Sequence, residues 1–148
     1  MGLIVNKPFE GLSFRELMEK FEIAVNGADR PVLFGGPVNM GRGFVLHSAD
    51  YNHDEATLVV TPEISLTATT DILAAIAEGS GPAQSLLALG YAGWGEGQIE
   101  SEILANGWIH CEGDPKLIFA TPYDAMWETA IATLGCDISN LSTEAGRA

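Results

Sequence analysis

One long apolar run, SLLALGYAGW at residues 85–94, constrains the fold of this chain more than any other feature. It falls short of the roughly 18 apolar residues that a membrane span requires. It also lacks the strict polar alternation of a strand with one wet face. Such a run reads as a central strand covered on both sides. The rest of the chain must therefore supply neighbouring strands and the layers that cover them.

Those segments are short and mixed in type. GLIVN (2–6) reads as a strand ended by Lys7-Pro8. Ser13 with Glu16 forms a capping box, and Phe14, Leu17, Met18 and Phe21 behind it give one apolar helix face, closed by the turn at Asn26-Gly27. VLFGGPV (32–38) and RGFVLHS (42–48) read as two strands around a glycine-rich connection, and 50–55 as a polar loop. ATLVV (56–60) and EISLT (63–67) read as strands parted by Thr61-Pro62. Thr69 or Thr70 caps a helix carrying Ile72, Leu73 and Ile76, which Gly79 stops. A further helix is expected from about Gln98 to Asn106. Strands are expected at 108–112 and 116–120 around Gly113-Asp114-Pro115, and a last helix from Thr121-Pro122 through Tyr123, Trp127, Ile131 and Leu134. Strands and helices are interspersed without regular βαβ alternation, so the class expected is α+β, with one domain over 1–138 and a polar tail at 139–148.

Charge limits the partners. Twenty acidic residues oppose seven basic ones, a formal charge of −13, and no two of the basic residues are adjacent. Affinity for duplex DNA rests on clustered Lys and Arg that release counterions, so direct nucleic-acid binding is disfavoured. The opening residues MGLIVNKP resemble neither a signal peptide nor a myristoylation site, and a cytoplasmic protein with no membrane association is expected. Cys111 and Cys136 stand outside any CxxC pair and read as buried, inert thiols.

Candidate chemistry is sparse. GYAGWGEGQIE (90–100) lacks the Lys-Ser/Thr of a Walker loop and the spacing of a dinucleotide fingerprint, and Glu96 would repel an anion. It reads as a strand-to-helix corner whose glycines permit unusual backbone angles beside Trp94. Gly35-Gly36 reads as a bulge or sharp connection, with an anion nest as the alternative. His47, His53, Asp54 and His110 lack the local spacing of zinc ligands. Ser48 follows His47, but neighbouring strand residues face opposite ways, and no G-x-S-x-G elbow occurs. No catalytic constellation, metal site or cofactor is expected.

Taken in order, GLIVNKP (2–8), FGGPV (34–38), RGFVLH (42–47), GYAGWGEGQIE (90–100), Asn106-x-Trp108 and Phe119-Ala-Thr-Pro122 with Trp127 and Leu134-Gly135 resemble the bacterial AlgH/YqgE family. The resemblance implies a strongly bent, bifurcated sheet forming a partial barrel with helices outside. It also implies a regulator of transcription whose biochemical activity is unsettled, and it transfers no cofactor or catalytic residue. Family members usually carry a further strand-rich segment before GLIVN, so an internal start or a truncated domain is expected here, with an exposed strand edge and homo-oligomerisation as a consequence.

The function expected is that of a non-enzymatic protein binding a protein partner or a small molecule. Its site is placed on Gly35, Gly36, Arg42 and His47 with Trp94, Gly95 and Glu96. The alternative is an enzyme or nucleotide binder using the Gly35-Gly36 amides with Arg42 and His47.

Overall fold

A computed structural model describes residues 1–52 and 56–135. The expected loop residues His53 and Asp54, Cys136 and the polar tail lie outside the described residues. The chain divides into two compact units, Met1–Ala92 and Gly93–Ala148.

The first unit holds one open six-stranded sheet. Its strands are β1 (Pro8–Ser13), β2 (Pro31–Phe34), β3 (Val38–Ser48), β4 (Thr57–Val59), β5 (Ile64–Thr67) and β6 (Ser85–Tyr91), in the spatial order β1-β2-β6-β3-β5-β4. Only the β2–β6 pair is parallel. The long apolar run is indeed interior: β6 lies between β2 and β3. Helices α1 (Phe14–Glu19) and α2 (Thr70–Glu78) complete the core, where Phe14, Met18, Ile72 and Ala77 pack with Val32, Val45 and Leu87. Burying such a side chain contributes about 1.5–3 kcal/mol, which is why these short helices hold.

Local signals set the helix ends. The Ser13 amide donates to Glu16 Oε2 at 2.7 Å and the Glu16 amide to Ser13 Oγ at 3.3 Å, the capping box read from sequence. Gly79 ends α2 at φ 86°, a left-handed exit where glycine avoids a Cβ penalty.

Several expectations change. Residues 2–6 form no strand: Gly2 makes a single bridge to Ala92, and the Ile4 amide reaches the Gly35 carbonyl at 2.8 Å. The first strand is β1, one segment later. Proline is tolerated there because β1 is an edge and Pro8 its first residue, and the irregular register between Pro8 and Ser13 accommodates Gly11 at φ 74°. The strand expected at 32–38 stops at Phe34, and Val38 instead opens β3, which runs to Ser48 with an irregular register between Val38 and Gly43.

In the second unit are α3 (Gln98–Leu104), α4 (Pro115–Ala120) and α5 (Met126–Thr133). The strand expected at 116–120 is a helix. Asp114 caps it, its carboxylate accepting from the Lys116 amide at 2.9 Å, and Pro115 takes the first helical position, where no amide is needed. Residues 108–112 form no strand. Thr121 closes α4, its hydroxyl donating to the Lys116 carbonyl at 3.2 Å, so the last helix starts at Met126 and not at Pro122. Of its expected face, Ile131 is buried, whereas Trp127 and Leu134 are exposed.

Candidate functional site

The glycines at 35 and 36 serve backbone packing. A Cβ on Gly35 would collide with the Gly90 carbonyl oxygen, and one on Gly36 with the Tyr91–Ala92 peptide. The Gly35 amide already donates to the Leu89 carbonyl at 2.8 Å. These residues let two chain segments touch where β2 and β6 end. A nest would need that amide free, so the contact explains the glycines better than a bound anion does.

His47 is fully buried. Its Nδ1 lies 2.8 Å from the Ser48 carbonyl and its Nε2 2.9 Å from the Thr67 hydroxyl, which is 2.8 Å from the Thr57 hydroxyl. With the proton on Nδ1 the network closes: the ring donates to Ser48, and Nε2 accepts from Thr67, which accepts from Thr57. The Tyr51 ring meets the imidazole edge-on at 5.8 Å. The arrangement clamps β3, β4 and β5 together and presents no open ring nitrogen to a substrate.

Arg42 lies beside a pocket of about 420 Å³, within the usual range for small-ligand sites. The pocket occupies the fork of the sheet. Pairing of β3 with β5 ends at Val45 and Thr67, while β3 extends back to Val38. The chain leaves β5 through Ala68 and Thr69 and enters α2. In the gap, Leu12, Leu17, Phe21, Leu73, Leu87 and Leu89 form apolar walls, Gly41 and Gly43 leave the floor low, and Lys20, Thr69 and Thr70 are the other polar residues of the lining besides Arg42. Arg42 supplies wall, but its guanidinium stacks over the Phe44 ring at 5.2 Å. Strand alternation puts Arg42 and Phe44 on one face and Gly43 and Val45 on the other.

Thr69 precedes α2 with extended backbone, yet its hydroxyl makes no cap bond. Its Oγ1 is the one buried side-chain oxygen or nitrogen without a hydrogen-bond partner among the described residues. Among those residues no carboxylate pairs with Lys20, and none lines the pocket. Sequence reasoning missed Lys20 and took Thr69 only for a cap. The unused hydroxyl is a feature that no sequence pattern displays.

Trp94, Gly95 and Glu96 fall in the second unit, apart from the first four candidates in the division of the chain. There Glu102 is the organising residue. Its Oε2 accepts from Trp108 Nε1 at 2.6 Å and Trp94 Nε1 at 3.2 Å, and its Oε1 from Gln98 Nε2 at 2.8 Å. Hydrogen bonds from Trp108, then Gln98 and Trp94, hold the carboxyl below its ordinary range. Gln98 Oε1 in turn accepts from the Gly95 amide at 2.9 Å, and the two indoles meet edge-on at 5.7 Å. Gly97 opens α3 at φ 71°. Within the second unit, residues 94–98 are therefore tied to α3 through the Glu102 carboxylate and Gln98, a link that no sequence pattern displayed. Glu96 is exposed.

Cys111 is exposed, which corrects the expectation of a buried thiol; it sits in the irregular 108–112 segment and not in a strand. Among the described residues no three His, Cys, Asp or Glu side chains gather as metal ligands, and no helix is long and apolar enough to cross a membrane.

Fold and site together define an α+β protein with an open mixed sheet and a small-ligand-sized pocket where β5 parts from β3. A family model described as AlgH-like, DUF179, matches residues 1–139, and the chain belongs to that family. It is 51% identical to a UPF0301 protein of Jannaschia sp. and 49% identical to one of Methylobacterium nodulans, covering all of this chain and 79% and 75% of those proteins. The solution structure of the AlgH protein from Pseudomonas aeruginosa, also UPF0301, superposes with a TM-score of 0.78 at 39% identity, over all of this chain and 79% of that one. The family's function is unsettled.

Proposed function

We propose that the chain is a non-enzymatic, cytoplasmic AlgH-like protein that influences gene expression indirectly, by binding a small ligand in the pocket at the fork of its sheet. The observation that carries this reading is the pocket: apolar walls from β1, α1, α2 and β6 enclose a space of about 420 Å³. Apolar walls with a few placed polar groups are the general form of a ligand site. The lining holds no carboxylate, imidazole or thiol, and so no Ser-His-Asp or Cys-His arrangement. The net charge of −13 argues that any effect on transcription passes through another component and not through DNA contact.

The test is a thermal-shift screen of the full chain against metabolites of both charge signs and of graded apolar content. A ligand present at a hundredfold excess over its Kd adds about 2.7 kcal/mol, which raises Tm by roughly 5–10 °C at this size. A Gly43→Leu variant should abolish the shift. A Cβ at Gly43 would lie 3.6 Å from Leu87 Cδ1 and 3.8 Å from Leu89 Cδ2, both pocket-lining side chains, so a side chain starting there grows among the pocket walls. Hits that survive unchanged in Gly43→Leu would overturn the reading.

A further inference from the structure

We propose that Asn26 is a site of spontaneous covalent modification, converting through a succinimide to aspartate and isoaspartate, while the fold holds Asn106 intact in the same sequence pair. The claim is independent of the fork pocket.

The sequence holds two Asn-Gly pairs, Asn26-Gly27 and Asn106-Gly107. In such a pair the glycine amide nitrogen can attack the asparagine side chain, because no Cβ on the glycine blocks the approach. At Asn26 the Gly27 amide gives its proton to hydroxide and its nitrogen bonds to Cγ. The Cγ–Nδ2 bond breaks, and ammonia leaves. Water then opens the ring. Addition at the former side-chain carbonyl gives aspartate; addition at the main-chain carbonyl gives isoaspartate, in which the chain runs through Cβ and Cγ. One water is consumed, one ammonia is released, and nothing is oxidised or reduced.

Both asparagines are exposed, so access to water does not distinguish them. The backbone does. The Gly107 amide donates to the Glu102 carbonyl at 2.8 Å, closing the end of α3, with Asn106 at φ 58°. That nitrogen is released only when the helix end opens. Gly27 has a φ of 114° and open space around its Cα, where an added Cβ would meet nothing within 4 Å beyond its chain neighbours. Among the described residues neither its amide nor the Asn26 side chain makes a hydrogen bond. Nucleophile and target are both free at this turn.

The product also reaches the packing. Arg15 of α1 spans residue 26, donating to the Val25 carbonyl at 3.3 Å and the Gly27 carbonyl at 2.8 Å, and the Asn26 amide donates to the Ala77 carbonyl of α2 at 2.9 Å. Isoaspartate adds one methylene to the main chain between two carbonyls that a single guanidinium holds, so the tie of this turn to α1 and α2 loosens. Aspartate leaves the main chain unchanged and keeps the tie.

The experiment incubates the full chain at mildly alkaline pH in heavy-oxygen water and follows both sites by peptide mass spectrometry, with isoaspartate read by enzymatic methylation of its carboxylate. Asn26 should convert at least about fivefold faster than Asn106, whose glycine amide must first give up a hydrogen bond. In denaturing urea, where both amides are free, the two rates should converge. Asn26→Gln should remove the fast product. The isoaspartyl fraction should melt at a lower temperature than the unmodified chain, and Asn26→Asp should melt with the unmodified chain. Equal rates at the two sites in the folded protein, or an Asn26 that reacts only after unfolding, would overturn the assignment. An isoaspartyl form as stable as the unmodified chain would overturn the loosening at Arg15. The rate comparison lies within the unaltered chain, so it stays decisive should a variant fail to fold.

Discussion

Replacing Thr69 by valine should make the ligand-free protein more stable, against the usual outcome at a position just before a helix. Threonine there ordinarily caps the first turn, and losing such a cap costs about 0.5–2 kcal/mol. Thr69 makes no cap bond, so that term is absent. What remains is a hydroxyl oxygen buried without a partner, whose desolvation costs about 1–3 kcal/mol. Valine keeps the shape and removes the polar atom. Its branched Cβ suits the backbone angles, φ −110° and ψ 162°, so no strain offsets the gain. The expected change is a stabilisation of about 1 kcal/mol, or 2–4 °C in Tm for a chain of this length. Urea denaturation followed by far-UV circular dichroism, backed by calorimetry, reads it, with the m-value unchanged. A loss of about 0.5 kcal/mol or more would show that the hydroxyl has a partner in solution, and the argument from an unused oxygen would fail with it.

Other expectations follow from the same geometry. Gly36→Ala should destabilise the first unit by about 3 kcal/mol, because its Cβ meets the Tyr91–Ala92 peptide, whereas Gly43→Ala should be neutral or gain up to about 1 kcal/mol; paired denaturation curves compare them, and equal costs would refute the distinction. Thr67→Val leaves the buried Nε2 of His47 without its hydroxyl and should cost about 1–3 kcal/mol, read by the same curves. The Glu102 carboxyl is held below its ordinary range, so its contribution is complete above the unfolded glutamate value and is lost as pH falls through the lower folded value. Tryptophan emission should therefore change with an acid midpoint below that of an ordinary glutamate, and Glu102→Gln should erase the transition; a midpoint at or above the ordinary value would refute the assignment. Asp50, lowered by the Ser48 hydroxyl and then the Ala83 amide, obeys the same sign. Asp50→Asn should destabilise at neutral pH, with the difference from wild type closing on acidification.

Much of the first unit was legible because its signals are local. The capping box at Ser13, the left-handed Gly79 and the long apolar run each act within a few residues, and each appears where the pattern put it. The failures have physical causes. Residues 116–120 are apolar without a period, and a run so short fits a strand or a buried helix equally; Asp114-Pro115, taken for a turn, was the deciding cap. β1 escaped notice because edge position, a leading proline and a positive-φ glycine are tolerated only once a neighbouring strand is known. The pocket was less legible still. Arg42 was singled out, yet its guanidinium belongs to Phe44, while the pocket itself arises only where β5 leaves β3.

The glycines sort the structural from the functional. At Gly35, Gly36 and Gly90 a side chain would enter the backbone of a neighbouring segment, so geometry alone demands glycine. Gly43 differs. A methyl there would make ordinary contacts with Leu87 and Leu89, and an alanine in a strand is favoured over glycine by roughly 0.5–1 kcal/mol. Folding thus gives no reason to leave that position bare, and the omission opens the floor of the fork onto two leucines of β6. The same holds for Thr69, whose hydroxyl costs stability that valine would recover. Two positions in one cavity each forgo stability, one by withholding volume and the other by keeping an unused polar atom. Sites that bind are where such losses concentrate. That coincidence, more than the volume of the cavity, is the reason to propose this fork as a binding site.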